Sequence, residues 1–301
     1  MATIADNLPE QAPIAKASTI SWPALAWFST LLIAAYFPIL KLLVYQWSTD
    51  EDATHGFLVP LVAAYIVWER RDGLLAIPRK TAWWGLGVLA WGALQAYVGM
   101  LGAELFLQRT AFLVSLVGML LIMGGTTLVR KLTFPLVLLL FMIPIPGVVY
   151  NQITFPLQLF ASQVAESALN LLGIPVWRDG NILELASQKL SVAEACSGIR
   201  SLLSLSFVAL VYAYLFDKRV WMRWALLIGT VPIAIIANAG RVTITGVLSE
   251  MNTAWAEGIY HSMEGWVIFV IAMVMLAGLH FVINWIINWV QAKRTKEQGL
   301  A

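Results

Sequence analysis

Apolar runs of membrane-spanning length set the terms for everything else in this chain. They lie at about 22–44, 56–69, 82–101, 107–128, 132–150, 199–216, 221–248 and 264–290. A bilayer core is ~30 Å thick and takes roughly 20 apolar helical residues to cross, so so many runs exclude a soluble globular fold. Hydrophobic residues make up 60% of the 301 and charged residues 12%, about half the charge of an ordinary soluble domain. The 14 tryptophans suit aromatic belts at two interfaces. The expected fold is all-α: a polytopic membrane bundle of about eight transmembrane helices. The second run is short and interrupted by Pro60, and the fifth ends in Ile143-Pro144-Ile145-Pro146-Gly147, a stretch that stops a helix. Met1–Ser21 is polar with a single Lys16. It lacks the basic start and short apolar core of a cleaved signal, so the first run reads as a retained span.

Positive charge sets the orientation. Arg70, Arg71, Arg79 and Lys80 follow the second run, Arg130 and Lys131 separate the fourth and fifth, Lys218, Arg219 and Arg223 precede the seventh, and Lys293, Arg294 and Lys296 follow the last. All four clusters are expected in the cytoplasm, with Asp50, Glu51 and Asp52 outside. The fifth run then ends outside and the sixth begins outside, so 151–173 does not cross. Its polar residues Gln158, Ser162, Gln163, Glu166, Ser167 and Asn170 and its apolar residues Leu159, Phe160, Val164, Ala168 and Leu171 recur at helical spacing. That pattern is an amphipathic helix in the outer interface or folded on the bundle. Residues 174–195 alternate around Asp179-Gly180-Asn181, which predicts a short extracytoplasmic hairpin. The organisation expected is a cytoplasmic tail over 1–21, a transmembrane domain over 22–291 and a second cytoplasmic tail over 292–301.

Three polar residues stand out against this background. Cys196 is the one cysteine, which excludes an internal disulfide and a cysteine-based zinc cluster. It sits where a polar segment turns into an apolar helix, and a helix N-terminus favours thiolate over thiol. Arg241 and His261 interrupt apolar surroundings further on, and topology puts all three on the outer side. A thiolate is a nucleophile, an imidazole holds and returns its proton, and a guanidinium stabilises an oxyanion in a desolvated site. Each has a plain structural reading beside this one: Cys196 as small packing, His261 as a hydrogen-bonded bystander, Arg241 as a cation reaching the outer surface. His280, deep in the last run, reads as a satisfied core residue. The net charge of +2 offers no basic stripe for nucleic acid, and no cofactor or metal is expected.

At these motifs the sequence resembles the exosortase/archaeosortase family of membrane cysteine transpeptidase-like enzymes. The likeness runs through Asp52-Ala53-Thr54-His55-Gly56-Phe57-Leu58-Val59-Pro60, Phe141-Met142-Ile143-Pro144-Ile145-Pro146, Glu194-Ala195-Cys196-Ser197-Gly198-Ile199-Arg200-Ser201-Leu202, Asn238-Ala239-Gly240-Arg241-Val242, and Ala256-Glu257-Gly258 leading to His261. It implies a catalytic Cys196, Arg241 and His261. It further implies a multi-pass protein of the bacterial inner membrane, with its site facing the periplasm and both termini cytoplasmic. The substrates implied are exported proteins with a C-terminal tripartite tail: a Pro-Glu-Pro motif, a hydrophobic span and a basic cluster. The acyl group passes to an unidentified acceptor, in a setting of exopolysaccharide and biofilm production with accessory proteins. Around the three, the Ser197 and Gly198 amides are expected to assist the oxyanion, Asn238 to orient Arg241, and Arg200 to support the thiolate or bind a substrate carboxylate. Glu194 is expected to pair with either arginine. Gly240 departs from the bulkier residue expected before the arginine and predicts a looser helix there. The chain ends at Ala301 without the C-terminal domain some relatives carry, which leaves an accessory protein acting in trans open. A purely hydrolytic membrane protease and a non-catalytic exopolysaccharide assembly or transport component are the alternatives.

Overall fold

The computed structural model describes residues 22–78, 80–192, 198–251 and 259–298. Its helices are α1 (Trp22–Ala35), α2 (Phe37–Thr49), α3 (Leu58–Glu69), α4 (Arg71–Leu75), α5 (Gly85–Leu101), α6 (Leu105–Leu138), α7 (Gly147–Leu171), α8 (Gly198–Phe216), α9 (Val220–Met251) and α10 (Ile259–Gln298). Short 3-10 helices cover Glu51–Phe57 and Leu139–Met142, and three strands, β1 (Val176–Asp179), β2 (Ile182–Leu185) and β3 (Lys189–Ser191), lie between α7 and α8. Two compact units result. One takes the described residues up to Tyr45 and Pro60–Ile143, the other Gln46–Val59 and the described residues from Pro144 onward.

In the first unit, α5 and α6 form an antiparallel pair on a seam of glycines. Gly85, Gly92 and Gly99 are buried, and a methyl group on Gly92 would stand 2.3 Å from the Ser115 hydroxyl. Small residues let the backbones approach, which is how helices gain dispersion energy where lipid supplies no hydrophobic drive. Tyr36, at the 74° bend between α1 and α2, shares a 2.7 Å hydrogen bond with Ser115 and donates to the Gly92 carbonyl at 3.3 Å.

Helix α6 differs from expectation. The fourth and fifth apolar runs were expected as two spans parted by Arg130 and Lys131, whereas one helix runs from Leu105 to Leu138 and its break falls at Gly125 (φ 69°, ψ −168°). Only glycine takes that backbone freely, and a Cβ there would stand 2.1 Å from the Lys80 carbonyl oxygen. The strap 80–82 runs across the break, and the Ala82 N–H donates to the Leu121 carbonyl at 3.0 Å. Lys131, just past the break, donates to the Gly73 carbonyl at 3.4 Å.

By length and composition, Leu105–Met142, Val220–Met251 and Trp266–Lys293 are able to cross a membrane, with a fourth crossing if the bent α1–α2 pair is taken as one span. Helix dimensions alone therefore give three or four crossings rather than the eight expected. The physical reason is that α3 has 12 residues and α5 has 17, short of the roughly 20 a straight crossing needs, while two apolar runs share α6.

In the second unit α9 is the hub, packed on α7, α8 and α10. Leu205, Ala209 and Ala213 of α8 interlock with Met222, Leu226, Ile233, Ala234 and Ala237 of α9 and with Ile268, Ala272 and Leu276 of α10. A second cluster joins Ala161, Ala165 and Leu169 of α7 to Leu183, Leu185, Leu190 and Val192 of the sheet region and to Val242 of α9. The expected hairpin is present as β1–β2, paired Asp179 to Ile182 across Gly180-Asn181, with β3 added antiparallel on β2. Gly180 takes φ 62°, as tight two-residue turns require.

The expected amphipathic helix is present in α7, folded against the bundle, but with a different inner face. Phe160, Val164 and Leu171 are exposed, while Ala161, Ser162, Ala165 and Leu169 are buried. The sheet explains the choice, because its polar edge needs partners. Ser162 donates to the Gly180 carbonyl at 3.0 Å, Asn181 donates to the Gln158 side chain at 3.1 Å, and Arg178 meets Glu166 at 2.7 Å.

Gly125→Ala is expected to lower stability by about 2 kcal/mol or more, from left-handed strain plus the clash with Lys80. Thermal unfolding of the detergent-solubilised protein measures it, and an unchanged midpoint would contradict the role given to this break.

Candidate functional site

The sequence places its candidates on or beside α8, α9 and α10, the three helices that share one core. Of the eight, Glu194, Cys196 and Ser197 lie outside the described residues, between β3 and α8. Gly198 and Arg200 belong to the first turn of α8 and His261 to the first turn of α10; the Arg200 and His261 side chains also lie outside what is described. Asn238 and Arg241 stand one turn apart on α9. Asn238 is buried, and Arg241 is half-buried with its Nε in the interior.

The backbone register shows which of these share an end of the bundle. Ser206 of α8 and Thr230 of α9 hydrogen-bond at 3.1 Å. The two helices run antiparallel and each rises ~1.5 Å per residue. Counting back along α8 to Gly198 therefore corresponds to counting forward along α9 to Asn238, and Arg241 stands about one turn further out. Tyr212 of α8 and His280 of α10 meet at 3.0 Å, and these two helices run parallel. The level of Gly198 then falls near Trp266, and His261 lies ~7 Å beyond it by the same rise. Gly198, Arg241 and the His261 backbone thus belong to one end of the three-helix bundle, within about two turns of each other.

Local sequence keeps that end ordered. Ala239 and Val242 are buried on either side of Arg241, and Thr245 donates to the Arg241 carbonyl at 3.0 Å. Helix α9 runs unbroken through Gly240, so the looser helix expected there is not seen. The β2–β3 turn is strapped to the end of α9. The Ser187 N–H donates to Glu250 at 3.0 Å, and the Ser187 and Ser249 hydroxyls meet at 3.0 Å. Among the described residues no three His, Cys, Asp or Glu side chains come together as a metal site.

A second polar cluster occupies the other end, and sequence reasoning named only two of its members, His280 as core and Arg219 as a marker of orientation. His280 reads from sequence as satisfied core without an evident partner; its Nδ1 meets the Tyr212 hydroxyl and its Nε2 meets Asp217 at 3.2 Å. Asp217 is buried and also accepts from the Arg219 backbone at 2.8 Å and from its Nε at 3.0 Å. Arg219 in turn donates to Asn284. The Arg219 hydrogen bond, ahead of burial acting in the opposite sense, holds the Asp217 carboxyl well below the usual carboxylate range. The signal available in sequence was the Asp217-Lys218-Arg219 turn, too short to leave its charges unpaired.

A helical membrane protein with Asn238, Arg241 and the starts of α8 and α10 at one bundle end is the class that fold and site define together. The family model for transmembrane exosortases matches residues 47–278, roughly three quarters of the chain, and spans every candidate above. The chain belongs to the transmembrane exosortase family. At the coarse level this makes it a membrane protein of sorting-signal processing. No curated protein and no solved structure matches it.

The Asp217 shift has a pH consequence. A carboxyl whose folded pKa lies below its unfolded value, about 4, adds stability above that value and loses it as pH falls through the folded one. Below about pH 4 the wild type is expected to lose thermal stability, and Asp217→Asn to be less stable at pH 7 with a shallower acid slope. Equal slopes in the two proteins would show that this pair does not contribute.

Proposed function

We propose that this protein is a membrane-embedded cysteine peptidase and transpeptidase that cuts C-terminal tripartite sorting tails of the Pro-Glu-Pro type at the periplasmic face of the inner membrane. One observation carries the reading most. Two helices bring Arg241 and the His261 backbone to the bundle end where α8 begins, and Cys196 lies two residues before that start.

The chemistry follows from the residue types. The α8 N-terminus and His261 favour the Cys196 thiolate, which adds to the scissile carbonyl carbon. Arg241 stabilises the oxyanion, with the Ser197 and Gly198 amides beside it, in a site where low dielectric makes a fixed cation count. Collapse of the tetrahedral intermediate breaks the C–N bond, and His261 gives its proton to the departing amine. The thioester then passes its acyl group to an acceptor nucleophile, or to water in the purely hydrolytic alternative. Asn238 orients Arg241, Arg200 supports the thiolate or holds a substrate carboxylate, and Glu194 pairs with one of the arginines. Supply of processed exported proteins to exopolysaccharide and biofilm production is the setting.

Eight crossings with both termini cytoplasmic is the topology this mechanism uses, with tails over 1–21 and 292–301 around the domain at 22–291. Helix α6 has 34 residues, ~51 Å at the helical rise, against a ~30 Å core. It crosses as two arms hinged at Gly125. The contacts of Lys131 with Gly73 and of Lys80 with Gly125 support a common side for the basic clusters of the first unit. Arg219 and Asn284 do the same for the second.

Co-expression with a tripartite-tailed substrate tests the reading. Wild type is expected to release the tail, Cys196→Ala to release none, and Arg241→Ala and His261→Ala to fall at least ~100-fold, each at normal membrane levels. Arg241→Lys keeps the charge and loses the planar fork, so it is expected to recover only part of the loss. Mass spectrometry of the new C-terminus separates transfer from hydrolysis. Tail release by well-expressed Cys196→Ala would leave the thiol as packing and favour the non-catalytic alternative.

A further inference from the structure

The α5–α6 pair of the first unit carries a charge that the chemistry above does not use. Arg109 is on α6, and only 4% of it is exposed. Its Nε is buried without a hydrogen bond, and among the described residues no group forms a hydrogen bond or ion pair with its guanidinium. A guanidinium keeps its proton in a protein, so the position holds a full positive charge. Burying a charge that nothing pairs is strongly destabilising. The ordinary escape for a long cationic side chain is to reach along the helix into water, and Arg109 stays inside instead.

The polar groups next to it in the sequence serve the helix pair. Gln95 of α5 donates to the Leu107 carbonyl at 3.1 Å and to the Thr110 hydroxyl at 2.7 Å, and Gln108 donates to the Gly99 carbonyl at 2.9 Å. Thr110 donates in turn to the Phe106 carbonyl at 2.9 Å. These bonds close the seam between α5 and α6. Arg109 stands one residue round from Gln108, at the end of the helix face that carries Leu113, Leu116 and Leu120 at spacings of four, three and four. Leu116 and Leu120 pack in an apolar cluster with Leu25 and Leu32 of α1. Glu104 is a carboxylate whose field reaches Arg109. Its side chain is exposed and caps α6, accepting the Phe106 N–H at 3.3 Å. The described chain therefore leaves the buried cation unbalanced.

Depth and surroundings indicate which anion completes it. Arg109 stands four residues, ~6 Å, from the start of α6. Helical side chains lean toward the N-terminus, which carries the guanidinium toward the level of the α5–α6 turn. The apolar stretch able to cross a membrane opens at Leu105, directly after the charged Glu104, so this turn lies at head-group depth. Its surface is unsuited to water: Tyr97, Val98, Met100, Leu101, Leu105 and Phe106 are all exposed. Acyl chains cover residues of that kind, and an anion that arrives past them carries apolar tails of its own. The free N–H groups at the start of α6 add positive potential at the same end. We propose that Arg109 binds the phosphate of one phospholipid head group, seated at the α5–α6 turn with its acyl chains against the exposed residues there. The guanidinium meets two phosphate oxygens, and the lipid completes the first unit as a structural ligand. The inference is independent of the cysteine chemistry proposed above.

The experiment uses the full-length protein in mild detergent, with phosphatidylglycerol and inorganic phosphate as probes, read by native mass spectrometry and thermal unfolding. The wild type is expected to retain one phosphatidylglycerol per chain through detergent exchange and to bind it at least ~10-fold more tightly than Arg109→Gln does. Unfolding gives a second reading whose sign the unpaired charge fixes. In lipid-free detergent Arg109→Met is expected to unfold at a higher temperature than the wild type, because the buried cation is gone. Added phosphatidylglycerol is expected to raise the wild-type midpoint and leave that of Arg109→Met in place. Arg130→Gln, which removes an exposed cation of the same unit, is expected to keep the bound lipid; its loss there would make the binding diffuse and overturn the proposal. Equal lipid retention by the wild type and the Arg109 variants also overturns it. So does a lipid-free Arg109→Met less stable than the wild type, which would show the guanidinium balanced within the chain. Stabilisation by inorganic phosphate equal to that by the lipid would make this a free-anion site and sink the lipid assignment. If Arg109→Met reaches the membrane poorly, Arg109→Gln is read by the same criteria.

Discussion

In the second unit the position of α9 along its neighbours is fixed by few interactions. Lipid is as apolar as leucine, so helices there associate through close contact and scattered polar bonds rather than through the hydrophobic effect. Ala209, Ala213, Ala234, Ala237 and Ala272 supply the closeness. Ser206–Thr230 sets the level of α8 on α9, and the Asp217–Arg219–His280 cluster ties the α8–α9 turn to α10. A slip of α9 by one turn, ~5.4 Å, would undo the serine–threonine bond and carry Arg241 away from the start of α8 by the same distance. Helix register and the placement of Arg241 are one variable here, so a substitution in mid-helix acts on the far end of the bundle.

The sheet fixes the part of the chain that the helices leave free. Leu183, Leu185, Leu190 and Val192 are buried with α7 and Val242, and the Val192 N–H donates to the Asn181 carbonyl at 2.9 Å. The segment leading to Cys196 therefore starts from a point bound on two sides. Neither α7 nor the sheet adds a candidate side chain for the nucleophile. Their contribution is to define where the chain leading to Cys196 departs.

Periodicity carried the coarse architecture well, because it reports a strong solvent preference. The apolar runs located the long helices, and the alternation around Asp179-Gly180-Asn181 located the hairpin. What failed did so where packing overrides preference. The α6 break lies at Gly125 rather than at Arg130-Lys131, since the Lys80 backbone needs a residue without a Cβ and charge has no such demand. The inner face of α7 uses Ser162 rather than Phe160, because the Gly180 carbonyl must be satisfied. For the site, sequence named Asn238 and Arg241 and gave their spacing. It was silent on the Asp217–Arg219–His280 cluster, because a bond from the turn after α8 to α10 cannot be read from spacing until the helices are packed.

The three histidines divide by what surrounds them. His280 has one ring nitrogen against Tyr212 and the other against Asp217, so neither is available to take a proton from a thiol. It also lies 19 residues along α10 from His261, ~28 Å at the helical rise, near the end where Asp217 neutralises a cation. An imidazole so engaged is a structural cross-link among α8, the α8–α9 turn and α10.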